Sequence, residues 1–166
     1  MNTRFQRVTP FLWFDQQAEE AVNFYTRIFP NSRVLDTTRY AKEASDASGQ
    51  PAGSVMTVAF QLDGQDFTAL NGGPVFTFTP ALSLVVNCQS EEEVDHYWSK
   101  LTEGGDESAQ QCGWLKDRYG LSWQVVPIEM IEMLKGSDAA AISRVTATIM
   151  RSKKLDLKDL RKAAAG

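Results

Sequence analysis

The 166-residue sequence predicts an α+β fold in which a βαβββ unit is used twice and short C-terminal helices follow. Three observations lead there. A strand-length apolar run heads each half, Val8–Phe14 and then Leu82–Cys88. Each run is followed by apolar residues at helical spacing, and the aromatic pairs Phe24-Tyr25 and Tyr97-Trp98 fall at nearly the same offset. Hairpin signals close each half before the pattern turns helical after Pro127. Two such units bury their sheets by curling around a shared interior, and the concave cleft is the expected place for a small ligand. The expected organisation is one domain over 1–166, with module one at about 7–75, module two at about 80–127 and the helices at 128–166.

Within the first half, Val8–Phe14 is dense in apolar and aromatic side chains, and Asp15 offers a carboxylate able to cap a helix. In that helix Ala18, Ala21, Val22, Tyr25, Ile28 and Phe29 form one face, Glu19, Glu20, Asn23 and Arg27 fill the other, and Pro30 stops it. Ser32–Tyr40 reads as a strand. Ala41–Ser54, rich in Ala, Ser, Gly and Asp, reads as a mobile loop. Val55–Leu62 and Gln65–Leu70 flank Asp63-Gly64, a pair suited to a type I′ hairpin.

After Asn71-Gly72-Gly73-Pro74 the order restarts. Leu82–Cys88 is a strand and Ser90–Leu101 a helix, with Ser90 and Glu93 as a capping box, Val94, Tyr97, Trp98 and Leu101 as its stripe, and Gly104-Gly105 as its stop. A second hairpin has arms at Gln111–Lys116 and Ser122–Pro127, joined through Asp117-Arg118-Tyr119-Gly120. Ile128–Leu134, Ala139–Met150 and Asp156–Ala164 read as amphipathic helices that cover the sheets or a partner.

Composition narrows the classes. With 43% hydrophobic, 10% aromatic and 23% charged residues, the chain can bury enough surface to offset its entropy. Seventeen basic against twenty-one acidic residues leave a net charge of −4, which argues against nucleic acid as a partner. No run reaches membrane-span length and Met1–Gln6 lacks the apolar stretch of a signal peptide, so a cytoplasmic protein without a membrane partner is expected. Two cysteines without C-x-x-C spacing are expected to be reduced thiols.

A duplicated βαβββ unit with Phe24-Tyr25 on its first helix resembles the vicinal oxygen chelate superfamily of glyoxalases, bleomycin-resistance proteins and extradiol dioxygenases. The wording of Pro10–Asp15, Ala18–Ala21, Phe29–Ser32, Ala69–Pro74 and Cys112–Asp117 is similar to the PhnB-like branch, whose members often carry the label 3-demethylubiquinone-9 3-methyltransferase. The resemblance implies a glyoxalase-like curled sheet, a homodimer, and an isomerase, lyase or resistance-type binder.

It also implies where a divalent metal would sit. The superfamily presents His, Glu or Gln from its strands, and the matching positions fall near Pro10 and Ala81, at Ala69 or Asn71 on the hairpin strand, and at Gln124. Two amides without imidazole or carboxylate hold a transition metal poorly, so no metal and no cofactor are expected. S-adenosylmethionine is ordinarily held at a glycine-rich strand-to-helix turn, and the chain has no G-x-G-x-x-G; Gly72-Gly73 and Gly104-Gly105 read as linker and helix cap.

His96, on the helix face opposite Val94 and Leu101, reads as a surface residue. Cys112 stands near Trp114 and Asp117 and reads as a structural or ligand-contact cysteine. Asp15 and Asp117 suit turn and cap roles. Trp13, Phe14, Phe60, Phe67, Trp114 and Trp123 either stack on a planar ligand or fill the core. The ligand-pocket candidates are Trp13, Asn71, Cys112, Trp114 and Gln124. The expected function is small-molecule binding in the cleft; the alternatives are the methyltransferase of the family label and a metal-dependent glyoxalase or dioxygenase.

Overall fold

The computed structural model describes residues 5–166, so part of the Met1–Gln6 reading lies outside the described residues. The chain forms two compact units, one reaching Thr77 and the other running from Phe78 to Gly166.

The first unit contains β1 (Phe11–Phe14), α1 (Ala18–Ile28), β2 (Arg33–Arg39), α2 (Lys42–Ser48), β3 (Val55–Leu62) and β4 (Gln65–Asn71). Its sheet order is β1-β4-β3-β2, with β1 parallel to β4 and the other pairs antiparallel. Register puts Leu12, Val58 and Ala69 side by side, and Phe60 beside Phe67, on the face that α1 covers with Ala21, Val22 and Tyr25. Asp63 and Gly64 both have positive φ (46° and 77°), giving the expected tight hairpin.

Two sequence expectations need correction here. β1 begins at Phe11 instead of Val8, because the Gln6 side chain takes the place of a strand: its amide donates to Asp66 O (2.9 Å) and accepts from Asp66 N (3.1 Å). The stretch Ala41–Ser54 is not a structureless loop. Lys42–Ser48 is free of Gly and Pro and forms α2, which ends at Gly49, and Tyr40 closes the excursion by bonding both Ser54 O and Gly53 N.

The second unit repeats the topology with β5 (Ser83–Cys88), α3 (Glu91–Thr102), β6 (Asp106–Gln111), β7 (Trp114–Lys116) and β8 (Ser122–Pro127), in the order β5-β8-β7-β6 with β5 parallel to β8. Ser90 caps α3 as expected, accepting from Glu93 N, while the Glu93 carboxylate takes Gln89 N instead of the Ser90 amide. The arm expected at Gln111–Lys116 is broken: Cys112-Gly113 is itself a two-residue turn with φ of 55° and 82°. β6 escapes sequence reading because Asp-Glu-Ser-Ala-Gln-Gln is a polar edge strand without alternation.

The tail forms α4 (Ile128–Leu134), α5 (Ala139–Arg151) and α6 (Leu157–Ala165) and belongs to the second unit. Val145, Leu155 and Leu160 make its core, with Met130, Met133, Leu134 and Ile149 packed around them, so the apolar stripe is largely covered within the chain. Cys112 N and Gly113 N donate to Ser152 O and Lys153 O (both 2.8 Å), and Glu91 accepts from Leu157 N (2.7 Å). Lys154 pairs with Glu91 and Asp95 on α3; burial opposes its charge, but these two carboxylates hold the ammonium above its ordinary pKa. No helix among the described residues is long and apolar enough to cross a membrane.

Candidate functional site

Each sheet has one face under a helix and one helix-free face, and strand parity decides which side chains reach the latter. In the first sheet Phe11 and Trp13 of β1 lie beside Thr68 and Leu70 of β4, opposite to the buried Leu12 and Phe14. Trp13 is half-buried and fixed: its indole N–H donates to Gly73 O (2.9 Å) and Phe76 meets its ring edge-on at 4.9 Å. A Cβ at Gly72 would collide with that indole, which accounts for a residue without a side chain there.

Asn71 does not share this face. It is only 7% exposed and its groups brace the fold: Oδ1 accepts from Ala18 N (2.8 Å), Nδ2 donates to Val55 O (3.2 Å), and its carbonyl accepts from Tyr40 Oη (2.7 Å). The first amide of α1 is thus capped from β4. Asp15, the expected cap, does not bond the helix; its carbonyl accepts from Gly73 N, and Oδ1 is buried without a hydrogen-bond partner.

In the second sheet Trp114 of β7 stands directly opposite Gln124 of β8, and Gln124 is in register with Val85 of β5, all on the helix-free face. Trp114 and Gln124 are half-buried, and Gln124 Nε2 donates to Ser83 Oγ (2.9 Å). Lys116, two residues along β7 from Trp114, projects to the same face opposite Ser122. Trp123 alternates to the helix side, where its indole donates to the buried Asp117 (2.8 Å). Asp117 also accepts from Tyr119 N and Leu121 N, so it organises the turn before β8.

Of the five candidates, register therefore joins Trp114 and Gln124 on one face. Trp13 lies on the helix-free face of the other sheet, Asn71 is turned toward α1, and Cys112 sits in a turn at the sheet edge instead of on a strand. Cys112 has Gln111 Nε2 at 3.5 Å and Met150 Sδ at 4.0 Å. Phe14, Phe60 and Phe67 are core. Cys88 is inert: burial above all, then the charges of Glu93 and Glu91, push its thiol up to about 12. His96 is exposed on α3. The sequence did not single out Ser83 or Lys116 for this face; Lys116 shares strand parity with Trp114 within the expected arm Gln111–Lys116, while Ser83 joins it only through the register of β5 on β8.

The divalent metal of the superfamily does not fit these residues. Among the described residues no three His, Cys, Asp or Glu gather. The helix-free positions of β1, β4, β5 and β8 supply one carboxylate, Asp66, which already accepts from Gln61 Nε2 (2.6 Å), besides hydroxyls and the amides of Asn87 and Gln124; a lone carboxylate among neutral donors, without imidazole, holds a divalent ion weakly.

Two βαβββ units with each first strand parallel to its last define a vicinal oxygen chelate, glyoxalase-like fold. The profile of the 3-demethylubiquinone-9 3-methyltransferase family matches residues 6–126, and the chain belongs to that PhnB-like family. A PhnB protein from Bacillus cereus, described as a putative 3-demethylubiquinone-9 3-methyltransferase, is 38% identical, with a TM-score of 0.62 over 74% of this chain and 99% of its own. Protein PA1353 from Pseudomonas aeruginosa (19% identity, TM-score 0.56, 74% and 98% covered) has a similar fold. So does the fosfomycin resistance protein FosX from Listeria monocytogenes, solved with Mn(II) and sulfate (16%, 0.53, 81% and 98%). No curated protein matches the chain. The tail α4–α6 lies beyond the residues matched by the family profile.

Proposed function

We propose that the protein binds a small organic molecule against the helix-free faces of its sheets. The observation that carries this is the second sheet's half-buried pair, Trp114 opposite Gln124, with the amide held by Ser83. An aromatic platform beside an oriented amide is the mixture of apolar area and few placed polar groups that small-molecule sites use. Trp13, locked by Gly73 and Phe76, adds a second rigid aromatic surface in the first unit. The working unit in this reading is a homodimer, and light scattering giving a monomer mass at micromolar concentration contradicts that part. The reading is tested by mass spectrometry of metabolites captured by the immobilised protein. A compound retained by the wild type and lost with Trp114→Ala supports it; identical eluates contradict it.

The family description favours a second reading, methyl transfer from S-adenosylmethionine. Against it, each sheet has one parallel pair, and the space beside the glycines after β4 is filled by the Trp13 indole at Gly72 and the Gln50 side chain at Gly73 instead of forming a cofactor turn. Isothermal titration separates the two: submillimolar binding of S-adenosylmethionine favours methyl transfer, and its absence favours the first reading.

A further inference from the structure

We infer that the helix-free face of the second sheet selects a flat monoanion, an aryl carboxylate bearing a hydrogen-bond donor at its far end, with Lys116 as the counter-ion. The inference rests on the small-molecule reading above and names the class of ligand. Lys116 is half-buried, and among the described residues its ammonium has no ion-pair or hydrogen-bond partner. The acid in register with it, Asp106, is engaged elsewhere: Oδ1 accepts from Ser108 N (2.9 Å) and Ser108 Oγ (2.7 Å). These bonds foremost hold the Asp106 carboxyl below its ordinary pKa, with the charge of Lys116 a smaller contribution.

The neighbours of Lys116 complete a ligand-shaped set. Trp114, on the same face of the same strand, offers a ring surface for stacking. Gln124 uses Nε2 on Ser83, which leaves Oε1 to accept a hydrogen bond and the Ser83 hydroxyl to donate one. Lys116 and Gln124 are diagonal neighbours across an antiparallel pair, roughly 7–8 Å apart. That spacing is between backbone positions; the flexible Lys116 side chain brings its ammonium to the acid of a benzene ring carrying a carboxylate and a para donor, with the ring on Trp114 and the donor on Gln124. A single ammonium suits a monoanion; a phosphate dianion calls for the several convergent N–H donors that this face does not offer.

The experiment compares 4-aminobenzoate with the neutral isostere 4-aminobenzamide by isothermal titration on the full chain. The acid is expected to bind at least tenfold more tightly than the amide, to lose that margin in Lys116→Gln, and to recover most of it in Lys116→Arg. Raising salt from 50 to 500 mM is expected to weaken the acid and leave the amide unchanged. Equal affinities for acid and amide in the wild type overturn the counter-ion assignment while leaving the small-molecule reading in place. So does a margin that persists in Lys116→Gln. Binding of neither probe at millimolar concentration overturns the ligand class, and the metabolite capture with its Trp114→Ala control then decides the broader reading independently. Circular dichroism melts of the Lys116 variants confirm that lost binding is not lost folding.

Discussion

Replacing Asn71 with Ala distinguishes a brace from a ligand contact. The side chain is 7% exposed and makes two internal hydrogen bonds, accepting from Ala18 N at 2.8 Å and donating to Val55 O at 3.2 Å. Truncation leaves the first amide of α1 and a β3 carbonyl without these partners, in a region where Ala18 is fully buried. An unmet buried polar group costs about 1–3 kcal/mol and a lost helix cap about 1 kcal/mol. Taking roughly 1–2 kcal/mol for each orphaned group gives about 2–4 kcal/mol for Asn71→Ala. At roughly 2–4 °C per kcal/mol for a chain of this size, the melting temperature falls by roughly 5–15 °C. Tyr40→Phe removes only the 2.7 Å bond to the Asn71 carbonyl and is expected to cost about 1 kcal/mol. Urea unfolding followed by far-ultraviolet circular dichroism measures both. A loss below about 0.5 kcal/mol for Asn71→Ala, well under the ordinary cost of a buried orphan, refutes the bracing role, and a simultaneous loss of ligand binding would return Asn71 to the site.

Other consequences concern the second unit. Cys112 occupies the left-handed region at φ 55°, where a residue with a Cβ costs about 1–2 kcal/mol and asparagine is better tolerated, so Cys112→Asn is expected to stabilise the protein by roughly 0.5–1 kcal/mol in the same urea assay. With its thiol buried and its pKa pushed up to about 12, Cys88 is expected to resist iodoacetamide at pH 8 while Cys112 is alkylated; intact mass should show one adduct, and two only after unfolding. Lys154→Met is expected to cost about 0.5–1.5 kcal/mol by removing the ties to Glu91 and Asp95. Because the folded state raises the Lys154 pKa, this contribution is complete below the ordinary lysine value of 10.5 and lost as pH rises through the folded one; the stability gap between wild type and variant should be flat from pH 7 to 9 and close above 10.5.

The topology was legible because its signals are strong and local. Val55–Leu62 carries enough apolar residues to declare a strand, and Asp63-Gly64 declares its hairpin. The tail helices were read to within a residue from their periodicity, and Asp138 and Asp156 cap two of them. β6 was not legible, since an exposed polar edge leaves no apolar imprint. That omission hid the Cys112-Gly113 turn. A residue such as Cys at the first position of a type I′ turn is a weak signal; its strain is met by long-range bonds to Ser152 and Lys153 that no local pattern reveals. Gly113 carries a trace of this, since a Cβ there would come within 2.8 Å of Leu155.

At the site, residue type pointed to aromatic and amide groups correctly, but face assignment depended on register. Trp114 and Gln124 meet because β7 and β8 pair antiparallel in one specific register. Asn71 read as a pocket residue because a polar group among aromatic strand positions suits both a ligand and a helix cap. Only its 53-residue reach to the Ala18 amide separates the two roles.

The four tryptophan indole N–H groups allow the central claim to be tested in one experiment. In a two-dimensional ¹H–¹⁵N NMR titration with the most tightly held captured metabolite, or with 4-aminobenzoate, the indole signals of Trp13 and Trp114 report on the helix-free faces. Trp123, bonded to buried Asp117, and Trp98, on α3, report on the opposite side. Binding against the helix-free faces predicts a saturable shift of the Trp114 signal, with or without Trp13, while Trp123 and Trp98 stay fixed. A Trp114 signal that stays in place while a ligand saturates the protein, or shifts confined to Trp98 and Trp123, contradicts it.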